Sequence, residues 1–472
     1  MNRLLTYLFI FSILTFCSLK AEASHIRAGE ITVERTSGNN LSFRITLTLY
    51  LKKSSQIDQS TARINLGDGT ELTVGTFSAQ DIGNDTEKRV YIANHTYQAA
   101  GYYIISFKEI YRNSGIINMS NSGGTELYLE TYVGINPFIG INNTPVLLNP
   151  PLDKAVTGQK FIHNPVAFDV DGDSISYKLI TPRKDAGVDV MAYRDPSNPE
   201  FGGGGAVTFS IDPITGDLIW QTPMTPGLYN IAFLVEEWRN GQRISYVVRD
   251  MQIEVVRNNN KPPVVNVPVD TCVVAGTFIN RTISATDPDF HSMNLTSVSG
   301  VYNLIPNARA NFAVNNPQPN PASGQFSWQT GCDHVRKEPY QIIFRAEDLP
   351  PAGMTRLVDT KPWSVRIFGP KLTGLVATPL NREIRLNWDA YSCPNANQIA
   401  IYRKDCSPTG GIDDICDEDA LVKAGYKVIA RVPAQSTTYL DNDNGEGLSK
   451  GTDYCYILVA EYPRPGRDQR SF

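Results

Sequence analysis

The chain has 472 residues, more than one hydrophobic core usually serves, so several domains are required. Its formal net charge is −5, with no long run of one sign. That gives no electrostatic reason to expect nucleic acid or an anionic membrane surface as partner. Aromatic residues make up 10%, mostly Tyr and Phe, and 36 Gly and 30 Pro punctuate the sequence, a composition of short strands cut by turns.

Residues 1–23 read as a secretory signal. Arg3 gives the positive start, Leu4 to Phe16 the apolar core, and Ala21-Glu-Ala23 the small residues before cleavage, which places the mature start at Ser24. A lipoprotein reading would use Cys17, but Phe16 stands where a small residue is needed. No later stretch has the roughly 20 apolar residues that span a bilayer. Of the 7 cysteines only Cys17 precedes the cleavage point, and an even number in an exported chain points to disulfides. Cys272 pairs with Cys332 within one unit and Cys406 with Cys416 across a loop. Cys393 with Cys455 follows by elimination, unless Cys455 bonds beyond Phe472. A cysteine metal site is the weaker alternative, since no Cys-x-x-Cys pair exists.

Residues 24–143 form a first unit. Leu41 to Leu51 alternates apolar and polar as a half-buried strand does. Asn65-Leu-Gly-Asp-Gly-Thr70 is a tight turn, and His95-Thr-Tyr-Gln-Ala-Ala-Gly-Tyr-Tyr follows later. This pair resembles the polycystic-kidney-disease (PKD) domain signature. The resemblance implies structural roles, with Asp68 bonding turn amides and Tyr97 packed under the next strand.

Asn142-Asn-Thr-Pro145 is a punctuated linker into a second unit, 144–256. There the carboxylate-and-glycine turn Asp169-Val-Asp-Gly-Asp173 opens an alternating strand, and Thr215-Gly-Asp-Leu-Ile-Trp-Gln-Thr222 comes some forty residues later. A third unit, 257–369, begins at the linker Asn258-Asn-Asn-Lys-Pro-Pro263. It repeats the pieces as Ala285-Thr-Asp-Pro-Asp-Phe290 and Ser323-Gly-Gln-Phe-Ser-Trp-Gln-Thr330. A recurring unit of roughly 110 residues made of short strands implies a β-sandwich array. The equivalent places of Trp220 and Trp328 favour core roles over sugar stacking. Trp238 and Trp363 read as strand-end residues free to meet a ligand. Gly202 to Gly205 reads as a flexible loop, since no Lys-Ser/Thr and no helix follow it.

The last unit, 370–472, places Trp388 on an alternating strand. Gly451-Thr-Asp-Tyr-Cys-Tyr-Ile-Leu-Val459 looks like the fibronectin type III corner, in which Tyr454 bonds nearby backbone. The sequence stops about one strand short of that fold, so either the unit is incomplete or the sequence is truncated. The fold class is therefore all-β, a tandem array of about four immunoglobulin-like sandwiches after a signal peptide.

The acidic turns are the best site candidates. Asp169, Asp171 and Asp173 offer hard oxygens suited to Ca²⁺, and Asp287 with Asp289 repeats the pattern. The competing reading is that they only cap turns. These units resemble cadherin-like and bacterial immunoglobulin-like domains, and in cadherins an Asp-x-Asp joins a glutamate and an Asp/Asn-rich linker to bind Ca²⁺ between domains. The linkers here keep Asn and Pro but lack the acids, and Arg257 sits where a carboxylate would help. No other cofactor is implied. Catalytic signals are poor: no nucleophile elbow, no His-Glu-x-x-His, and a Glu236–Glu237 pair whose side chains fall on opposite strand faces. The expectation is that the chain is not an enzyme.

The opening stretch Ser24-His-Ile-Arg-Ala-Gly-Glu-Ile-Thr-Val33, followed by Phe43-Arg-Ile-Thr-Leu-Thr-Leu-Tyr50, resembles a family of Bacteroidetes gliding-motility-associated surface proteins exported by the type IX system. The likeness extends to the order of units. It departs at Tyr50-Leu-Lys-Lys53, where relatives often carry Tyr-Arg-Asp-Cys. It implies a secreted product held on the outer surface through a C-terminal region beyond Phe472, with an adhesin-like or stalk role and a surface polysaccharide or protein as partner. The alternative is the non-catalytic part of a larger secreted hydrolase.

Overall fold

The computed structural model describes residues 26–462 except 37–40, 56, 58, 111, 137, 139, 141, 152–153, 203–207, 306, 308–309 and 407–419. The signal segment, Gly203 to Gly205 and Cys416 lie outside the described residues. Within them the fold is all-β: 54% is strand and 4% helical, with helix confined to single turns such as Ala420–Lys423. No helix among the described residues is long and apolar enough to cross a membrane. Four packed units follow one another, each around its own apolar cluster. The third unit sets two four-stranded sheets face to face, and the fourth sets two three-stranded sheets.

The strand Ser42–Lys52 shows how pattern becomes packing. Phe43, Ile45, Leu47, Leu49 and Leu51 are buried on one face, and Arg44 on the other is exposed. Strict alternation would leave Tyr50 exposed too, yet it is buried, because the second unit covers that outer face. Tyr50 and Ala28 both belong to the second unit's core.

The cover is the strand Gln242–Val256, whose burial runs almost without a break along its length. One of its edges pairs with Gly227–Arg239. The other meets Leu127–Ile135 at 245–247, Ile26–Arg35 at Asp250, and Lys154–Val156 at 254–256. Starting from Ile26–Arg35, hydrogen bonding passes through the other strands of the first unit to Leu127–Ile135, then to Gln242–Val256, and back at Gly29. A strand of the second unit thus closes the first. The expected boundary at residues 143 and 144 is spanned by one continuous sheet. A tyrosine ladder crosses it, Tyr102 on Tyr132 at 5.6 Å and Tyr132 on Tyr246 at 5.5 Å.

Buried charge crosses the same seam. Arg112 donates to both oxygens of Asp250 at 2.8 and 2.7 Å, with each side chain 1% exposed. Its remaining donors reach the Glu126 carbonyl at 3.0 Å and the Arg183 carbonyl at 2.7 Å. Arg249 reaches Glu30 at 2.9 and 3.2 Å and the Asn149 carbonyl at 2.6 Å. Each buried carboxylate is satisfied, Glu30 by a fork of two Arg249 nitrogens and Asp250 by Arg112 Nη1 with Asn230, so removing one partner is expensive while replacing both is not.

The disulfides differ from expectation. Cys332 bonds Cys393, and Cys406 bonds Cys455. Cys272 is disulfide-bonded as well. The expected pairs Cys272–Cys332, Cys406–Cys416 and Cys393–Cys455 are therefore corrected. Nearness in sequence misled in two ways. The Cys332 bond crosses from the third unit to the fourth, beside Asn395, which donates to the Cys332 carbonyl at 2.9 Å. Cys406 follows a strand, Gln398–Asp405, whose neighbour is Tyr454–Glu461, so register brings Cys455 alongside. Trp363 is also corrected. It sits inside the Val358–Phe368 strand, 0% exposed, donating to the Val269 carbonyl at 2.9 Å. Trp238 is half-buried and donates to Ser176 at 2.8 Å.

The other structural residues lie as follows. Asp68 accepts from the Thr70 amide at 3.0 Å and contacts His95 at 2.7 Å. Tyr97 is buried and donates to the Leu66 carbonyl at 2.9 Å. Trp220, Trp328 and Trp388 are buried in their units' cores. The Tyr454 hydroxyl accepts from the Ser449 amide at 3.2 Å.

Arg112→Ala should lower stability by about 3–5 kcal/mol in urea unfolding, because it strands Asp250. Arg112→Met combined with Asp250→Leu should recover most of that loss. A double variant no more stable than the single one would contradict this account of the seam.

Candidate functional site

The acidic turn of the second unit is shaped by Gly172, whose φ of +84° suits a residue without a Cβ. The turn folds Asp173 back so that its amide donates to Asp169 Oδ1 at 2.8 Å. The strand Ser174–Ile180 then starts, and its pairing with Gly227–Arg239 sets Ile175 opposite Glu237. Glu237 and the three aspartates each bring a carboxylate oxygen to one place, all within 4.8 Å of one another. Glu236 faces the other way and pairs with Arg243 at 2.5 Å. Strand alternation thus separates the two glutamates, as expected from the sequence, but it also sends Glu237 into a site that the sequence did not reveal.

The linker closes this site from the first unit. Asn143 donates its amide to Asp171 Oδ2 at 2.7 Å, and its side chain reaches both Asp171 oxygens. Asn142 donates to Glu237 Oε2 at 2.8 Å. On the other side, the Arg35 amide donates to Asn143 Oδ1 at 2.7 Å, and the Val33 amide to Thr144 Oγ1 at 2.8 Å. The linker asparagines are therefore wired to the carboxylates and to the first unit at once. Their lack of acidity, noted in the sequence, leaves them free to donate.

The charge does not balance. Arg239 takes both oxygens of Asp173, and Ser245 donates to Glu237 Oε2. Asp169 Oδ2 and Glu237 Oε1 are buried with no hydrogen-bond partner, in residues 3% and 0% exposed. Burial, with the Asp171 charge adding to it, pushes the Asp169 carboxyl up to about 7. Burial pushes Asp171 up to about 6, and burial and the Asp169 charge raise Glu237 well above its ordinary range. Two acceptors that face no donor persist only with a proton shared between them or a cation beside them. Ca²⁺ takes oxygens at 2.3–2.6 Å, so atoms up to about 5 Å apart fit around one ion. The donor set is all oxygen, hard and preassembled, and it fits such a cation.

At the next junction a second group gathers Asp287, His291 and Asp348. Of the two acids expected there, only Asp287 takes part; Asp289 instead accepts from the Lys261 amide at 2.7 Å. Sequence reading missed Glu237, His291 and Asp348. A late-strand acid lies some sixty residues from its turn, and only strand register connects the two.

No family profile and no curated protein sequence matches the chain. Among solved structures it is similar to a mutant of the SrpA adhesin from Streptococcus sanguinis, at 14% identity and TM-score 0.18, over 24% of this chain and 58% of that one. The match thus spans less than two thirds of that adhesin's length. It is similar to mouse cadherin-23 repeats EC22–24 at 18% identity and TM-score 0.17, over 66% of this chain and 86% of that one. Eight immunoglobulin domains of the Down syndrome cell adhesion molecule match at 10% identity and TM-score 0.18, over 93% of this chain and 50% of that one. Overlap this slight carries nothing about activity or about how the units are arranged.

The cluster's pH response has a definite sign. Carboxyls raised in the folded state hold protons that the unfolded chain has already released, so the metal-free fold loses stability as pH climbs from about 4 to about 7. In chelator, Tm should fall across that range, and millimolar Ca²⁺ should reverse the fall at neutral pH. A Ca²⁺ level one hundredfold above Kd would add about 2.7 kcal/mol. Asp171→Ala and Glu237→Gln should abolish the Ca²⁺ response in calorimetry and thermal melts. Glu237→Gln should also raise the neutral-pH Tm in chelator. No heat at millimolar Ca²⁺ would reject the site.

Proposed function

We propose that the chain is an exported, adhesin-like stalk that holds a binding region away from the outer cell surface and engages a surface polysaccharide or protein. The carrying observation is that every junction between successive units is locked, each by different chemistry. The first joint has the shared sheet, the buried ion pairs and the linker wired to the acidic cluster, which Ca²⁺ would tighten.

The second joint is packed. Phe168 of the second unit enters the third unit's core, so close to Gly300 that a Cβ there would lie 2.4 Å from its ring. Arg336 lies 5.1 Å over that ring and donates to the Asp169 carbonyl at 3.2 Å. Ser174 donates to Glu338 at 2.7 Å. The third joint has the Cys332–Cys393 bond. Joints this tight suit a spacer that carries load or reach, since relative motion is otherwise the default between small domains. The likeness of the opening stretch Ser24 to Val33 to type IX cargo supports the export route. No catalytic role is proposed.

Antibody against residues 24–472 should label intact cells, and the label should vanish on gene deletion together with part of the cells' surface adhesion. Labelling seen only after lysis would contradict the proposal.

A further inference from the structure

The two junction clusters share one frame with one substitution. In both, the amide four residues after the first Asp folds back onto its Oδ1: Asp173 to Asp169 at 2.8 Å, His291 to Asp287 at 2.9 Å. In both, the residue six after that Asp pairs with the late-strand acid, Ile175 with Glu237 and Met293 with Asp348. In both, a linker Asn side chain donates to that acid, Asn142 to Glu237 and Asn260 to Asp348. The next linker amide takes the middle Asp, Asn143 to Asp171 and Lys261 to Asp289. The register therefore puts His291 where Asp173 stands. The change is chemical, from a carboxylate tied up by Arg239 to an imidazole.

His291 Nδ1 is buried and has no hydrogen-bond partner. It lies 3.6 Å from Asp287 Oδ1 and 3.7 Å from Asp348 Oδ2. Both distances are too long for a hydrogen bond. They are close to the roughly 3.3 Å between ligands that surround a tetrahedral ion at 2.0–2.1 Å. Asp287 Oδ2 and Asn260 Oδ1 are further buried atoms without partners, on residues 2% and 0% exposed. The two oxygens nearest Nδ1 are anchored, Asp287 Oδ1 by the Asp289 amide at 2.9 Å and Asp348 Oδ2 by the Asn260 side chain, while Asp348 Oδ1 accepts from the Leu357 amide at 2.5 Å. The ligand atoms are thus held in place by amides of the backbone and of Asn260, and Asp287 and Asn260 each keep one buried oxygen without a partner.

We propose that Asp287, His291 and Asp348 bind a divalent transition metal of the Zn²⁺ class, in contrast to the all-oxygen cluster at the preceding junction. Imidazole nitrogen favours borderline ions, whereas Ca²⁺ and Mg²⁺ favour oxygen alone. The array would then carry two junction ions of different hardness, and the second joint would respond to a different metal supply from the first. This stands independently of the stalk reading.

The test uses the purified full chain, equilibrated with Zn²⁺ in millimolar Ca²⁺, with bound metal measured directly and affinity measured by titration. One Zn²⁺ per chain should be retained. His291→Asp, which restores an all-oxygen set, should weaken Zn²⁺ at least tenfold and add one bound Ca²⁺, and Asp171→Ala should leave Zn²⁺ binding unchanged. On the parent chain, ¹⁵N-histidine spectra should show one imidazole shifting with stoichiometric Zn²⁺, a readout that does not depend on any variant's folding. Failure of the parent to retain Zn²⁺, an unshifted set of imidazoles, or equal Zn²⁺ binding by His291→Asp would each overturn the proposal.

Discussion

Carboxylates buried at a joint between two units are the constraint on which the functional account depends. A carboxylate leaves water only if something replaces its solvation, and a joint is a poor place to find donors because it is assembled from two surfaces. The chain supplies donors from the linker: Asn142, Asn143 and Asn260 point side chains or amides at the acids. They do not suffice. Asp169 Oδ2 and Glu237 Oε1 remain without partners. The deficit leaves the first two joints open to a proton or a metal ion that would change how firmly their units hold together.

At the seam between the first two units the same problem has a permanent solution. Arg249 brings a guanidinium fork to Glu30 and Arg112 brings its Nη1 to both oxygens of Asp250, inside a sheet that both units share. These pairs need nothing from solvent and make the joint insensitive to its surroundings. The acidic cluster lies at the linker end of that joint and depends on what solvent supplies. One joint thus combines a fixed clamp with a conditional one. The third joint uses a covalent bond, Cys332 to Cys393, which suits the oxidising setting in which disulfides persist.

Much of the fold was legible in the sequence because period-two patterning is local. The alternation from Leu41 to Leu51, the Gly-Asp-Gly turn and the repeated tryptophan strands each declare themselves within a dozen residues. The acidic turns did so too, since Asp169, Asp171 and Asp173 lie on one tight bend. What stayed hidden needs information that spans units. Nothing in Gln242–Val256 says that its second edge will enter another unit, because Arg249, Asp250 and Gln252 interrupt its apolar residues and yet all three are buried. Glu237 was visible only as half of an unconvincing pair, because its link to Asp169 runs through the register of two strands. The disulfides are hidden for the same reason: sequence distance is a poor guide to spatial distance, and Cys332 reaches across a boundary.

The most direct measurement of the central claim is an anomalous difference map from crystals of the chain grown at neutral pH with Ca²⁺. The account predicts a peak among Asp169, Asp171 and Glu237, with Asp169 Oδ2 and Glu237 Oε1 turned toward it. Those two oxygens sharing a proton at neutral pH, with no peak between them, would contradict it.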